Sequence, residues 1–443
     1  MADDLGWGDT GFNGNGTIQT PFLDKLASEG IIFDRFYSAS PVCSPTRASF
    51  LTGRNPLRMN IPGANSGHMM PEEITIPELL KKEGYNTGHY GKWHLGTLTK
   101  LVRDANRGGR EKFFDHFTNP FDHGYDEFFC TESKVPTYDP VHMPAEFENG
   151  ESKRYGWKAI ETNVNRSDYG TNYWIGPDLR ETENLEGENA RIIMDRVIPF
   201  INKSASTNSP FFTTIWFHTP HLPVVANEGH RAMFSEMSLD SQLYYGSILS
   251  MDQQVERLWE ELEKLDVADN TILWFCSDNG PERDTPGSSG AYRERKRSLY
   301  EGGVRVPAFV VGKRYWEGGI RINTPIVTSD YLPTLADLLD LPYPAKRPMD
   351  GVSLTSFLDK EESERDSPIG FIYNNYQKVS WVTDQYKLVS PDAMESFELY
   401  DLLKDPGELE NIIETEPKIA ASLRSELEVW LVSVGKSAEG LDY

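Results

Sequence analysis

The chain has 443 residues, and 44 Lys and Arg against 68 Asp and Glu give it a formal charge of −24 at neutral pH. Apolar residues at 38% and aromatics at 12% supply a sizeable core, which excludes a wholly disordered chain. The acidic balance disfavours nucleic acid and anionic membrane as partners, three cysteines cannot build a disulfide framework, and no apolar run approaches the ~20 residues of a membrane span.

A prior of roughly 150 residues per domain suggests two or three units, and strand-like and helix-like segments alternate in the α/β manner. The chain opens on Met1-Ala2-Asp3-Asp4 with no charged-then-apolar leader, so no signal peptide is expected in it and localisation stays open. Thr20-Pro21 starts a helix that Gly30 ends, and Ile31 to Phe36 reads as a buried strand. Ser44 as cap, Pro45 at the first helical position and Gly53 as terminator outline a second helix. Ile76 to Glu83 is a third, and Gly84 separates it from a strand over Tyr85 to Tyr90. Residues 101–187 are rich in Asp, Asn, Gly, Tyr and Pro, show little periodicity, and are expected to run as substrate-facing loops over the sheet edge. Pro210 to Phe217, Thr271 to Cys276 and Val304 to Val311 read as buried strands. A long helix is predicted over Leu239 to Leu265, where Tyr244, Ile248, Met251, Val255, Leu258, Leu262 and Leu265 form one apolar stripe. The pattern breaks around Pro342 to Pro348. Short strands (Gly370 to Tyr373, Val379 to Val382, Tyr386 to Val389) and a helix near Lys418 to Leu431 follow. The expected division is a catalytic unit over 1–345 and a smaller α+β unit over 346–443.

Several segments carry chemistry. Cys43 sits at the positive end of its short helix, with Arg47 four residues on; the pair reads either as an anion site or as a buried structural thiol beside an arginine. Asp3 and Asp4 are adjacent carboxylates, suited to a hard divalent cation or simply solvated. Ser277-Asp278-Asn279-Gly280 directly follows an apolar strand. It is either a plain Asn-Gly turn or a ligand site at the carboxyl end of a parallel strand. Lys92 and His94 alternate after a predicted strand and share a face if extended. His218 and His221 end another strand, and Lys296 precedes Glu301-Gly302-Gly303-Val304-Arg305-Val306-Pro307.

Together these segments resemble the type I, formylglycine-dependent sulfatases of the alkaline phosphatase superfamily. The resemblance rests on Cys43-Ser-Pro-Thr-Arg47 with Ala48-Ser-Phe-Leu-Thr-Gly53, on Ala2-Asp-Asp-Leu-Gly-Trp-Gly-Asp9, and on Gly91-Lys-Trp-His-Leu-Gly96. Pro220-His-Leu-Pro223, Lys296 with Glu301-Gly-Gly-Val-Arg-Val-Pro307, and Asp278-Asn279 complete it, and further family-like stretches carry it nearly end to end. It implies an α/β fold: a large mixed, mostly parallel sheet flanked by helices, with a smaller C-terminal subdomain holding an antiparallel sheet and a terminal helix. The family's first strand, which precedes the paired aspartates, is absent, so Asp3 and Asp4 are expected on a fraying terminus beside unpaired strand edges.

The resemblance implies sulfate-ester hydrolysis on a carbohydrate or an aryl sulfate. Cys43 would be oxidised to Cα-formylglycine by a maturation enzyme. Arg47 would stabilise it, His94 would act on its hydroxyl, and Lys92, His221 and Lys296 would contact sulfate and leaving group. Asp3, Asp4, Asp278, Asn279 and modified Cys43 would hold Ca²⁺, with Mg²⁺ or Mn²⁺ open. His218 would stand behind these groups or face the substrate. Rival readings are a phosphodiesterase or phosphonate hydrolase of the same superfamily, and an inactive binding module. Family members are usually secreted, periplasmic or lysosomal.

Overall fold

Proline at the first position and a glycine after the last turn delimit the helix Pro21–Glu29. Its free amides at Phe22 and Leu23 donate to the Asp252 carboxylate at 3.1 and 2.7 Å, a cap supplied from the long helix Leu239–Lys264. On that long helix Tyr244, Ile248, Met251, Val255, Leu258 and Leu262 are all buried, as their spacing predicts. The computed structural model describes residues 1–144, 167–343, 347–360 and 364–442.

Two mixed sheets lie edge to edge. One has the order Leu179–Glu181, Tyr173–Gly176, Glu127–Thr131, Asn86–Lys92, Phe211–Trp216. Its inner strand Asn86–Lys92 pairs in parallel on both sides. The other has the order Ile320–Ile322, Ile31–Phe33, Ala308–Val311, Leu273–Cys276, with one parallel and two antiparallel pairings. Met1 and Ala2 bridge the two. The Met1 ammonium donates to Ile215 O at 2.8 Å and Phe217 N to Met1 O at 3.0 Å, while Ala2 N donates to Cys276 O at 2.8 Å. The expected fraying is therefore not found: Asp3 is 0% and Asp4 1% exposed, because their backbone is held from both sides.

The predicted strand Ile31 to Phe36 is split into Ile31–Phe33 and Phe36–Tyr37, which pair with different partners. Arg35 lies at the break, buried, with its guanidinium donating to the carbonyls of Thr383 and Asp384. Within 101–187 the loop expectation misses three strands: interior Glu127–Thr131 and the edge hairpin Tyr173–Gly176 with Leu179–Glu181. Part of that expectation, 145–166, lies outside the described residues. Beyond residue 368 four antiparallel strands run in sequence order, and the helix Pro417–Ala438 packs on them, with Trp381 and Trp430 rings 5.5 Å apart. Between this sheet and the larger unit, buried Lys387 reaches Glu301 at 2.8 Å and Glu408 at 3.0 Å.

Candidate active site

The chemistry-bearing side chains gather where strands end, the usual ligand position in open α/β sheets. Asp3 and Asp4 follow the bridging residues, and a left-handed backbone at Asp4 (φ 68°) turns the chain there. Asp278 and Asn279 follow Leu273–Cys276, Lys92 ends Asn86–Lys92, and His218 and His221 follow Phe211–Trp216. Cys43 opens the helix Cys43–Thr52, and Arg47 lies one turn in. Lys296 sits in the loop before Glu301–Val304. A Cβ on Gly280 would meet Gly302 O at 2.1 Å, and one on Gly303 would meet Ser298 O at 2.1 Å. These glycines let the Asp278-Asn279 turn close on the Lys296 loop.

Each carboxylate here faces a cation. Arg47 binds Asp278 Oδ2 through Nε at 3.1 Å and Nη2 at 2.5 Å, and its guanidinium lies 5.0 Å from the Trp216 ring centre. Lys92 Nζ lies 2.7 Å from Asp3, and Lys296 Nζ lies 2.6 Å from both Asp4 oxygens. Burial alone would raise the Asp4 carboxyl; His221, Lys296 and Asn279 instead hold it well below the usual range. Burial, then Asp3, push the Asp278 carboxyl up despite Arg47. Against burial, Asp4 holds the Lys296 ammonium above its ordinary value. Burial and Asp278 likewise raise the Cys43 thiol, so an unmodified Cys43 stays protonated and weakly nucleophilic.

The donor set suits a divalent cation. Ligand atoms of Asp3, Asp4, Cys43 and His221 all lie within 4.8 Å of one another. Asn279 Nδ2 donates to Asp4 at 2.7 Å, which leaves its Oδ1 buried without a partner, a free oxygen donor at the same place. Asp278 stands slightly apart: its Oδ2 is held by Arg47, and its Oδ1 accepts from Asp4 N at 3.1 Å.

The three histidines differ. His94 Nε2 lies 2.8 Å from Asn65 Oδ1 and 3.4 Å from Ser133 Oγ, and its Nδ1 is buried without a partner. Burial, Lys92 and Arg47 keep His94 well below its ordinary value, so it is neutral. His221 donates from Nδ1 to Leu222 O at 2.5 Å and turns Nε2 toward Asp4 at 3.6 Å. His218 is wholly buried between Thr131 Oγ1 at 2.7 Å and Asn189 Oδ1 at 2.9 Å, and it reaches no open space.

A cavity of about 660 Å³ opens over this cluster, with Cys43, Lys92, His94, His221 and Lys296 on its wall. The wall also holds Asn65, Asn106, Ser133, Lys134, Tyr169, Arg297, Asn374 and Asn375, none of which the motifs single out. Asn374 and Asn375 come from the tip of the C-terminal sheet, where consecutive asparagines suit left-handed backbone (φ 53° and 51°).

The family profile described as Sulfatase matches residues 1–341, and one described as N-sulphoglucosamine sulphohydrolase, C-terminal, matches 289–433. The chain is 30% identical to the N-acetylgalactosamine-6-sulfatase of Mus musculus over 415 residues, 87% of this chain and 70% of that one. It is also 30% identical to the steryl-sulfatase of Mus musculus, over 86% of this chain and 68% of that one. The crystal structure of Ps i-CgsB in complex with k-i-k-neocarrahexaose aligns with a TM-score of 0.81 at 25% identity, covering 97% of this chain and 91% of that one. The phosphonate monoester hydrolase of Agrobacterium radiobacter shares the fold at a TM-score of 0.63 and 18% identity, with coverage of 98% and 95%.

Proposed function

The chain belongs to the sulfatase family and is a sulfuric ester hydrolase, and from that premise we propose that it releases sulfate from a carbohydrate sulfate monoester at the Cys43 cluster. The observation that carries the reading is the floor of the cavity. There Cys43 and His221 converge with Asp3 and Asp4 buried just beneath, Lys92 and Lys296 stand on the wall, and Arg47 lies behind them against Asp278. Attack on a sulfate ester builds negative charge on its oxygens and on the leaving alcohol, so fixed cations and a proton carrier are what the reaction needs.

Asp3, Asp4, Asp278 and Asn279, with position 43, would hold the divalent cation; calcium fits their oxygen donors best. Cys43 is the position for Cα-formylglycine, and its burial at 2% means that a maturation enzyme would act before the helix Cys43–Thr52 is packed. When bound, these groups supply an oxygen nucleophile and a concentrated positive charge.

The chain's own residues supply the rest. Arg47, Lys92 and Lys296 are held rigidly by carboxylates, so they meet developing charge without reorganising. Lys296 stays protonated beside Asp4 and is the proton carrier on the cavity wall. His221 has its Nδ1 proton committed to Leu222 O and presents Nε2 toward the metal donors. His94 keeps a bare Nδ1 that can take a hydroxyl proton during sulfate release. His218 stands behind them, tying the Thr131 and Asn189 side chains together.

The polar wall favours a sugar over a sterol, since Asn65, Asn106, Asn374 and Asn375 offer amide groups to hydroxyls. The test is sulfate release from a panel of sulfated glycans, aryl sulfates and phosphodiesters, by protein co-expressed with a formylglycine-generating enzyme. Release from glycans, abolished in Cys43→Ala, is the expected result. Faster phosphodiester cleavage, or an active Cys43→Ala, would overturn it.

A further inference from the structure

Among the cations in and beneath the cavity, Lys134 differs from the rest. Arg47, Lys92 and Lys296 each face a carboxylate, and Arg297 pairs with Glu282 at 2.5 Å. Among the described residues Lys134 has no ion-pair partner, although it lines the cavity and is solvent-accessible. Its base is nevertheless rigid. His94 N donates to Glu132 O at 3.0 Å, Thr131 Oγ1 donates to Ser133 O at 2.6 Å, and Val135 is fully buried. The Glu132 carboxylate is itself fixed by the amides of Arg107 and Gly108, at 2.7 and 3.0 Å. A long side chain thus projects from a pinned backbone without a direct ion pair among the described residues.

Resting on the carbohydrate-sulfatase reading, we propose that Lys134 is a specificity-determining residue that selects sugars carrying a second anionic group beside the sulfate to be cleaved. On that reading Lys92 and Lys296, with Arg47 behind them, already serve the scissile sulfate. A neutral sugar filling the cavity would offer the Lys134 ammonium only hydroxyl acceptors in place of water, whereas a carboxylate or a second sulfate would form the stronger charge-assisted pair. Burial, then the like charges of Lys296 and Lys92, lower the proton affinity of the Lys134 ammonium against the smaller pull of Asp4 and Asp3, which adds to the preference for an arriving anion. The chain's net charge of −24 does not oppose this pairing, since distant surface charge is screened within about 8 Å.

The experiment measures kcat/KM on matched sulfated sugars that differ only in one substituent: a neutral hydroxyl, a carboxylate or a second sulfate. Wild type, Lys134→Gln and Lys134→Arg are compared, all matured alike, with thermal midpoints recorded. Wild type should favour an anionic member about five- to tenfold, Lys134→Gln should erase that ratio with under about twofold loss on the neutral member, and Lys134→Arg should keep it. Which anion shows the ratio identifies the group recognised. Equal losses on both members would overturn the proposal by assigning Lys134 to the scissile sulfate, and no loss on either would make it a bystander. No release from any sugar while an aryl sulfate is cleaved would overturn the carbohydrate reading, and this proposal with it.

Discussion

The side-chain oxygen of Asn65 lies 2.8 Å from Nε2 of His94 and 2.7 Å from the amide nitrogen of Asn106. Because Asn106 donates to that oxygen, the contact with His94 puts the imidazole proton on Nε2 and leaves Nδ1 bare. Asn65→Leu should therefore lower kcat about 10- to 100-fold while KM changes less than about threefold. Asn65→Asp supplies a pH readout. The new carboxylate opposes the lowering by burial, Lys92, Arg47, Arg107 and His221, so the acid limb of the kcat profile should move to higher pH. An unmoved limb would assign Asn65 a purely structural part.

Asp252 links stability to pH. Burial lifts its carboxyl to about 7, against about 3.9 in an unfolded chain. The folded chain keeps a proton that the unfolded chain releases in that window, so this contribution is complete below about pH 4 and lost as pH rises toward 7. Asp252→Asn still accepts from the helix Pro21–Glu29 but does not titrate, so its denaturation midpoint should fall less between about pH 5 and pH 8 than that of wild type. Parallel slopes would refute the assignment.

The motifs made most of the site legible, because each reactive side chain lies within a few residues of a strand end or helix start that local pattern can mark. Cys43, Lys92, His94, His221 and Lys296 meet at one cavity, and Arg47, Asp278 and Asn279 lie directly behind it. Asn65, Lys134 and Asn374 were not legible: they reach the cavity from loops whose path depends on long-range contacts, such as Arg107 holding Asn65 O at 3.2 Å and Gly67 O at 2.8 Å. The strand Glu127–Thr131 was missed for a similar reason. It is short and, after its first residue, buried, and its glutamate accepts from Tyr90 OH at 2.5 Å across the sheet. The Glu301-Gly302-Gly303 motif was visible without its purpose, which the structure supplies: Glu301 accepts from Tyr37 OH at 2.9 Å and faces Arg305 and Lys387.

That junction predicts a large stability effect far from the chemistry. Lys387 is fully buried against Glu301 and Glu408, and burial pushes the Glu408 carboxyl up to about 7. Lys387→Met leaves two buried carboxylates without their shared cation and should cost about 3–5 kcal/mol in a denaturant melt. A loss under about 1 kcal/mol would show that water or a shifted proton replaces the lysine.

The free oxygen of Asn279 makes metal binding testable without turnover. In a Cys43→Ala background, which cannot mature, calcium should still raise the thermal midpoint, since Asp3, Asp4 and Asn279 remain. Ligand at about 100 times its Kd contributes about 2.7 kcal/mol. Adding Asn279→Ala removes both the unpartnered Oδ1 and the donor that aligns Asp4 at 2.7 Å. The calcium concentration needed for the same shift should then rise at least about tenfold, with magnesium and manganese as comparators. Chelation should reverse the shift in the parent and do little in the double variant. An unchanged calcium response after loss of Asn279 would remove this residue from the metal donors and leave its buried oxygen without a role.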